Sequence, residues 1–371
     1  MGGALEPQCM GHSALGDDDD SSIASRYQLH LMPKRLGQGQ FSKAYACWRR
    51  DEPETCYALK EFLTEHDAIE HALNEAMVLR ALGPHPRIIQ LIESEFQVPE
   101  EKQPLCVVLE LCEGGQLFDR LTEKGRYEES EGAQVVKQLL EAADFMHGRG
   151  VMHRDLKLEN VLLISRDSDV DVKVCDFGIA KMAEPAPCQE SVTPEAVMPL
   201  VMRRGVPRSS SFKGSNYYLS PEMIRQEEYG PEIDIWAIGV MAFGLLSGSL
   251  PFSCKDDDLR ELYHKIIHCN LSFAGEAWEE KSSACVEFIQ MLLTVDPDRR
   301  PRASTALQHP WLKQEDVCEL NEDEDDNEGD GEAEDDDDED EGCGELEDFG
   351  FGCYARGYAR SHTAHGEREK E

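Results

Sequence analysis

The string MHRDLKLEN, residues 152–160, sets a carboxylate, an amine and an amide close together at Asp155, Lys157 and Asn160. Asp155 can orient a hydroxyl group and accept its proton. Lys157 can neutralise charge on a phosphoryl group in transfer, and the Asn160 side chain can hold Mg2+. His-Arg-Asp alone is a common tripeptide, whereas the full string is highly specific. A second acid follows in CDFGIAK, 175–181, where Asp176 comes directly after the strand-like run VKVC and is the Mg2+ candidate. The tripeptide Asp-Phe-Gly recurs in LEDFGFG, 346–352, with no strand before it, and Asp348 is read as a chance recurrence.

Two further motifs lie upstream. LGQGQFSKAY, 36–45, places Gly37 and Gly39 between two expected strands, where backbone without side chains can close over phosphates. Gly-x-Gly is also common in plain hairpins, so it gains weight only from company. YALK, 57–60, ends an apolar strand on Lys60, and Glu75 lies fifteen residues on in the next expected helix. A Lys60–Glu75 pair across strand and helix would hold the lysine toward nucleotide phosphates.

The elements that must position these groups are legible from periodicity. Short β-branched and aromatic runs dominate residues 27–111, interrupted by HDAIEHALNEAMVLRAL, in which Ile69, Leu73, Ala76, Met77 and Leu79 recur at helical spacing. EGAQVVKQLLEAADFMHGRG sets Val135, Val136, Leu139, Leu140, Ala143 and Met146 on one broad helical face. VLLI and VKVC, flanking SRDSDVD, read as a β-hairpin. IDIWAIGVMAFGLLSG is apolar nearly all round and suits a fully buried helix. Folding is expected to end near HPWL, 309–312.

In this order and spacing the motifs resemble those of the eukaryotic protein kinases from about Tyr27 to Leu312, through GxGxxS, Lys60, Glu75, HRDLKLEN, DFG, SPE at 220–222, DIWAIG at 234–239 and Arg300. ELCEGGQLFDRL, GVMHRDLKLEN and LLTVDPDRRP with ALQHPWL are most similar to the calcium/calmodulin-dependent and calcium-dependent kinase group. The resemblance implies an α+β fold of two lobes, a small β-rich N-lobe (27–111) and a larger helical C-lobe (112–312), with disordered tails at 1–26 and 313–371. It implies a serine/threonine protein kinase that uses ATP and Mg2+. Asp155 would be the base, and Lys157 and Lys60 would position phosphates. Asn160 and Asp176 would hold the metal, and Ser215, in GSNYYLSPE, would bridge Asp155 and Lys157. Leu36, Gly37, Gln38, Gly39, Ser42 and Ala44 would cover the nucleotide, and Ala58 and Leu162 would sandwich adenine. Glu110 and Cys112 would offer backbone hydrogen bonds to it behind the gatekeeper Leu109, with Gln116 near the ribose. Leu79, Leu91, His153 and Phe177 would stack as a spine anchored by Asp234, and Glu222 would pair with Arg300. Cys175, just before Asp176, reads as a small buried residue.

Two departures bear on ligands. Ala44 stands where the family carries a branched residue over adenine, and the apolar area lost is worth about 1 kcal/mol at most. Gln116 stands where many relatives have a glutamate that touches a basic substrate residue, which weakens the case for an arginine-directed preference. The activation segment, Asp176 to Glu222, contains the Pro-rich insertion MAEPAPCQESVTPEAVMPLVMRRGVP, 182–207, followed by RSSSFKG. Ser211 lies three residues before Gly214, at the family's activating phosphosite, and Arg208 precedes it by three. A phosphate there would pair with Arg154 beside the catalytic base.

Charge is lopsided. Acids number 75 against 37 bases, for a net charge of −38, and residues 313–371 alone hold 25 acids and five bases. Phosphate backbones would be repelled, so nucleic acid is not an expected direct partner. Protein substrates are, with basic ones docking on the acidic tail as the sharper expectation and a solvated, disordered tail as the plainer one. The tail has the wrong sign for a calmodulin target, and DNEGDGEAEDDD lacks the apolar eighth position and flanking helices of an EF-hand. Thirteen scattered cysteines without CxxC pairs point to reduced thiols in the cytoplasm or nucleus. No signal peptide or membrane-spanning run is expected, and Glu6 replaces the Ser or Thr that a myristoylation motif wants.

Overall fold

The computed structural model describes residues 23–29, 35–63, 65–95, 105–183, 215–254 and 258–313. Ser211 with most of the activation-segment insertion, and the acidic tail with its expected docking role, lie outside the described residues, as does the side chain of Ser215.

A one-turn helix α1 (Ile23–Arg26) leads into β1 (Tyr27–Leu29). Strands β2 (Arg35–Gln38), β3 (Ser42–Arg49) and β4 (Cys56–Phe62) precede helix α2 (His66–Leu82). Strands β5 (Leu91–Glu95) and β6 (Cys106–Glu110) complete a six-stranded antiparallel sheet, ordered β1-β3-β4-β6-β5 with β2 paired to β3. Its register sets Ala44 opposite Lys60, Ala46 opposite Ala58, and Ala58 opposite Leu109.

Order begins before Tyr27, the boundary expected from sequence. Ile23 is only 2% exposed and packs with Tyr27, Cys47 and Val108. Its amide donates to Glu95 Oε2 at 2.6 Å, and Arg26 pairs with Glu93. One buried isoleucine and two polar contacts to β5 hold a segment whose composition alone suggests disorder.

Helix α2 keeps its expected bounds but not its expected inner face. Leu73 and Met77 are 39% and 51% exposed, while Ala68, Ala72, Glu75, Ala76 and Leu79 are buried. Glu75 explains the rotation. Leu73 and Met77 each lie two residues from it, about 200° around the helix, so burying the carboxylate turns both to solvent.

Next come β7 (Gly115–Gln116), α3 (Leu117–Lys124), α4 (Glu129–Gly148) and β8 (Val151–Met152). Strands β9 (Val161–Leu163) and β10 (Val172–Val174) form the expected hairpin, with β7 on the other edge of β9, and β11 (Lys181–Met182) pairs with β8. The predicted face of α4 is buried from Val135 to Met146. Gly114, before β7, is required by close approach. A Cβ there would sit 2.3 Å from Ser165 O and 2.4 Å from Leu163 Cβ, so no side chain fits between this turn and β9.

The remainder is helical: α5 (Pro221–Ile224), α6 (Glu232–Ser247), α7 (Leu259–Ile267), α8 (Glu276–Glu279), α9 (Ser283–Leu292) and α10 (Ala303–Ala306). Every residue of α6 from Ile233 to Leu246 is buried, as its all-round apolar pattern requires. The chain thus has a β-sheet N-lobe and a helical C-lobe. By contacts it forms two compact units, Met1–Leu117 with Ala142–Val201, and Phe118–Glu141 with Met202–Glu371.

The second unit is held by two polar nodes. Arg300 and Glu222, 0% and 1% exposed, form a two-point ion pair at 2.7 and 3.1 Å. The guanidinium also donates to the Thr294 and Glu232 carbonyls at 2.9 and 2.8 Å. Glu129, at the start of α4, accepts from the Ser282 amide at 2.8 Å and from Trp311 Nε1 at 2.9 Å. That node fastens the HPWL segment to α4 and α9.

Candidate active site

All the groups in this site belong to the first compact unit. Strand β4 delivers Lys60, helix α2 delivers Glu75, and the loop after β10 delivers Asp176. Lys60 Nζ lies 2.6 Å from Glu75 Oε2 and 3.0 Å from Asp176 Oδ1. Glu75 is fully buried, and the Asp176 side chain keeps 46% exposure. Desolvation works against the charged form of all three, and their mutual attraction opposes it. For Lys60 the two carboxylates win and raise its pKa. For Asp176 burial pushes up, but Lys60 and Lys157 hold the carboxyl well below the usual range. For Glu75 burial leads and leaves its pKa raised, with Lys60 offsetting part.

The segment between β8 and β9 folds around Asp155. Lys157 Nζ donates to Asp155 Oδ2 at 2.7 Å, and Asn160 Nδ2 donates to the same oxygen at 3.0 Å and to the Asp155 carbonyl at 2.8 Å. These bonds use the Asn160 amide nitrogen and leave its oxygen. His153 fixes the loop from below. Its Nδ1 accepts from the Asp155 amide at 3.3 Å, and its Nε2 donates to the Cys175 carbonyl at 2.9 Å. The same ring meets Phe177 edge-on, with centroids 4.7 Å apart. His153 thereby links the segment carrying Asp155 to the segment carrying Asp176.

Backbone geometry marks the same two places. Arg154 and Asp176 have φ of 70° and 65°, the left-handed region that L-residues rarely occupy. Such conformations cost about 1–3 kcal/mol each and persist only where surrounding contacts fix them. Arg154 donates to the Ile179 carbonyl at 3.3 Å. Its expected phosphate partner at Ser211 falls outside the described residues.

The loop after Asp176 is bound to α2. Asn74 Nδ2 lies 3.1, 3.1 and 2.8 Å from the carbonyls of Phe177, Gly178 and Ala180. A Cβ on Gly178 would stand 2.6 Å from His71 Nδ1, so this approach also needs glycine. The His71 ring packs on Phe41, at the tip of the glycine-rich turn, with centroids 4.3 Å apart. Burial lowers the His71 pKa. Neither Asn74 nor His71 is marked by any sequence spacing. The only available signal was their place on the turn of α2 that presents Glu75.

The expected nucleotide-covering residues lie on β2, β3 and the turn joining them. Gly39 donates to Ser42 O at 2.8 Å to close that turn. A Cβ on Gly37 would meet nothing within 4 Å, and on Gly39 nothing closer than Ser42 Oγ at 3.7 Å. The fold itself does not demand these glycines, which fits a turn kept bare for a ligand. Leu36 is 40% exposed, and Gln38 accepts from Arg35 at 2.8 Å. Gln116 pairs in register with Leu162 across β7 and β9. The Glu110 amide is committed to Gln90 O at 3.0 Å, and its carboxylate accepts from the Gln90 amide at 2.6 Å and from Lys173 at 2.7 Å. That amide is therefore not open to a ligand. Among the described residues Cys112 makes no backbone hydrogen bond. Its thiol is pushed up to about 12, and that of Cys175 well above its usual value, in both cases by burial.

Among the described residues no cluster of three or more His, Cys, Asp or Glu could hold a metal alone. One ionised carboxylate and one amide oxygen, Asp176 and Asn160, suit Mg2+, which keeps waters and takes its remaining ligands from phosphates.

The protein kinase domain model matches residues 31–312. The calcium/calmodulin-dependent protein kinase type 1 of Macrobrachium nipponense is 33% identical over 305 residues, 81% of this chain and 79% of that protein. The calcium/calmodulin-dependent protein kinase type IV of Homo sapiens is 35% identical over 294 residues, 79% of this chain and 56% of that protein. The calcium-dependent protein kinase 2 of Arabidopsis thaliana is 32% identical over 295 residues, 78% of this chain but 41% of the plant protein.

Proposed function

Because the chain belongs to the protein kinase family and is a serine/threonine protein kinase similar to the calcium/calmodulin-dependent group, we propose that it transfers the γ-phosphoryl group of Mg-ATP to Ser and Thr hydroxyls of protein substrates, and that phosphorylation of Ser211 raises its activity. The family uses ATP and Mg2+ and acts on proteins. The observation that carries the reading is Lys60 held between Glu75 and Asp176 at 2.6 and 3.0 Å.

When bound, Mg-ATP supplies the transferable phosphoryl group and a cation to neutralise it. Lys60 positions phosphates, and Glu75 fixes Lys60 against α2. Asp176 and Asn160 hold the metal. Asp155 orients the substrate hydroxyl and takes its proton. Lys157, already on Asp155 Oδ2 at 2.7 Å, offsets negative charge as transfer proceeds. Ala58 and Leu162 flank adenine, and the Cys112 backbone meets its edge. A cytoplasmic or nuclear location is proposed from the thirteen scattered cysteines without CxxC pairs.

One experiment tests both the function and its regulation. Wild type and Ser211→Ala are treated with phosphatase, then incubated with Mg-ATP and assayed on peptides offering Ser, Thr or Tyr. Phosphate is expected on Ser and Thr only. Phosphatase should lower wild-type activity about tenfold, the worth of one charge-assisted hydrogen bond between phosphate and Arg154, and leave Ser211→Ala unmoved. Phosphotyrosine would contradict the substrate class. Equal wild-type rates before and after treatment would remove the role of Ser211.

A further inference from the structure

The loop that carries Asp176 is pinned on both sides. Before Asp176, the Cys175 carbonyl accepts from His153 Nε2 and the Cys175 amide donates to Asn160 O, each at 2.9 Å. These contacts come from the segment that carries Asp155. After Asp176, Arg154 donates to the Ile179 carbonyl at 3.3 Å, and a second side-chain anchor comes from α2, through Asn74. Its amide group has two hydrogens and meets three carbonyls, Phe177, Gly178 and Ala180, with the shortest contact at 2.8 Å. Asp176 between these anchors sits at φ 65°, a strained conformation that persists only where surrounding contacts fix it.

Asn74 is also the chain neighbour of Glu75. Consecutive residues of one helix therefore fix both carboxylates that converge on Lys60. Glu75 does so directly. Asn74 does so by holding the backbone from which Asp176 projects. The fit is close, because Gly178 leaves no room for a Cβ beside His71 on the preceding turn of α2.

We propose that Asn74 is a positioning residue that ties α2 to the Asp176 loop, so that the Lys60–Glu75 and Lys60–Asp176 contacts form and separate together. A shift of α2 that withdraws Glu75 also pulls on the Phe177–Ala180 carbonyls and misplaces Asp176. This inference rests on the kinase reading. It adds a residue that touches neither substrate nor metal and acts through the backbone of the loop.

Asn74→Asp keeps the shape but replaces the donor with an acceptor facing three carbonyls. Asn74→Gln keeps an amide donor on a longer arm. Steady-state kinetics on wild type and both variants, with thermal melting in parallel, provide the test. Asn74→Asp is expected to lose at least about tenfold in kcat, as for one or two hydrogen bonds lost in the assembled site, with KM for the protein substrate unchanged. Asn74→Gln is expected to recover part of that loss, and the order of the kcat values should not follow the order of melting midpoints. Asn74→Asp at wild-type kcat, or kcat losses that track melting in both variants, overturns the inference alone. An inactive wild type overturns the kinase reading and this inference with it.

Discussion

Asp176→Asn should abolish phosphate transfer, by at least about a thousandfold in kcat, while the protein stays folded. The cause is electrostatic. Asp176 is one of two carboxylates on Lys60, and the attraction of Lys60 and Lys157 keeps it ionised despite desolvation. An ionised carboxylate is the harder half of the proposed metal site that Asp176 and Asn160 would form. Asparagine keeps the shape and deletes the charge. It is a cleaner probe than alanine, because residue 176 has φ 65° and asparagine tolerates that region better than alanine. Activity is measured against protein substrate at saturating Mg-ATP, with melting as the control. A chain that acts only as an ATP-binding scaffold would recruit its partners equally well in the variant and in the wild type. Retained transfer in the variant would mean that Asp176 does not hold the metal.

The second large effect is on stability. Arg300→Met should destabilise the protein by about 3–5 kcal/mol, the usual consequence of stranding a buried charge. Here Glu222, 1% exposed, would lose both guanidinium contacts, and the carbonyls of Thr294 and Glu232 would lose their donor. For a domain of this size that corresponds to about a 10 °C drop in melting midpoint. Arg300→Lys should fall between, since it keeps the charge but cannot make the two-point pair. The double variant Arg300→Met with Glu222→Leu should cost less than the sum of the two single changes. Additive losses in that cycle would show that the pair is not coupled.

Much of this was legible in the sequence, and the parts that were not share a cause. The bounds of α2, the buried face of α4, the hairpin of β9 and β10 and the all-round burial of α6 follow from local periodicity, which the tertiary structure did not override. The order of Lys60, Glu75, Asp155 and Asp176 along the chain implied a common centre, and the fold brings Lys60, Glu75 and Asp176 within 3.0 Å contacts. What periodicity could not give is direction set by another element. Leu73 and Met77 look like core positions, yet burial of Glu75 turns them outward. Asn74, Gly114 and Glu129 act only through segments distant in sequence, the Asp176 loop, β9 and the HPWL segment respectively. Nothing in their own neighbourhoods marks them. Ile23 is the reverse case, since a polar, acidic approach hides one apolar residue that the sheet captures.

Whether the assembled site is a working phosphotransfer centre is read most directly by intact-mass spectrometry. Purified, phosphatase-treated chain is incubated with Mg-ATP beside the variant Asp155→Asn, which removes the proposed proton acceptor, with melting as the control for folding. The wild-type chain is expected to gain whole phosphate groups, located on Ser or Thr, and Asp155→Asn to gain none. A wild-type chain that binds ATP yet gains no phosphate and modifies no protein substrate, or a variant that phosphorylates as fast as wild type, would contradict the assignment.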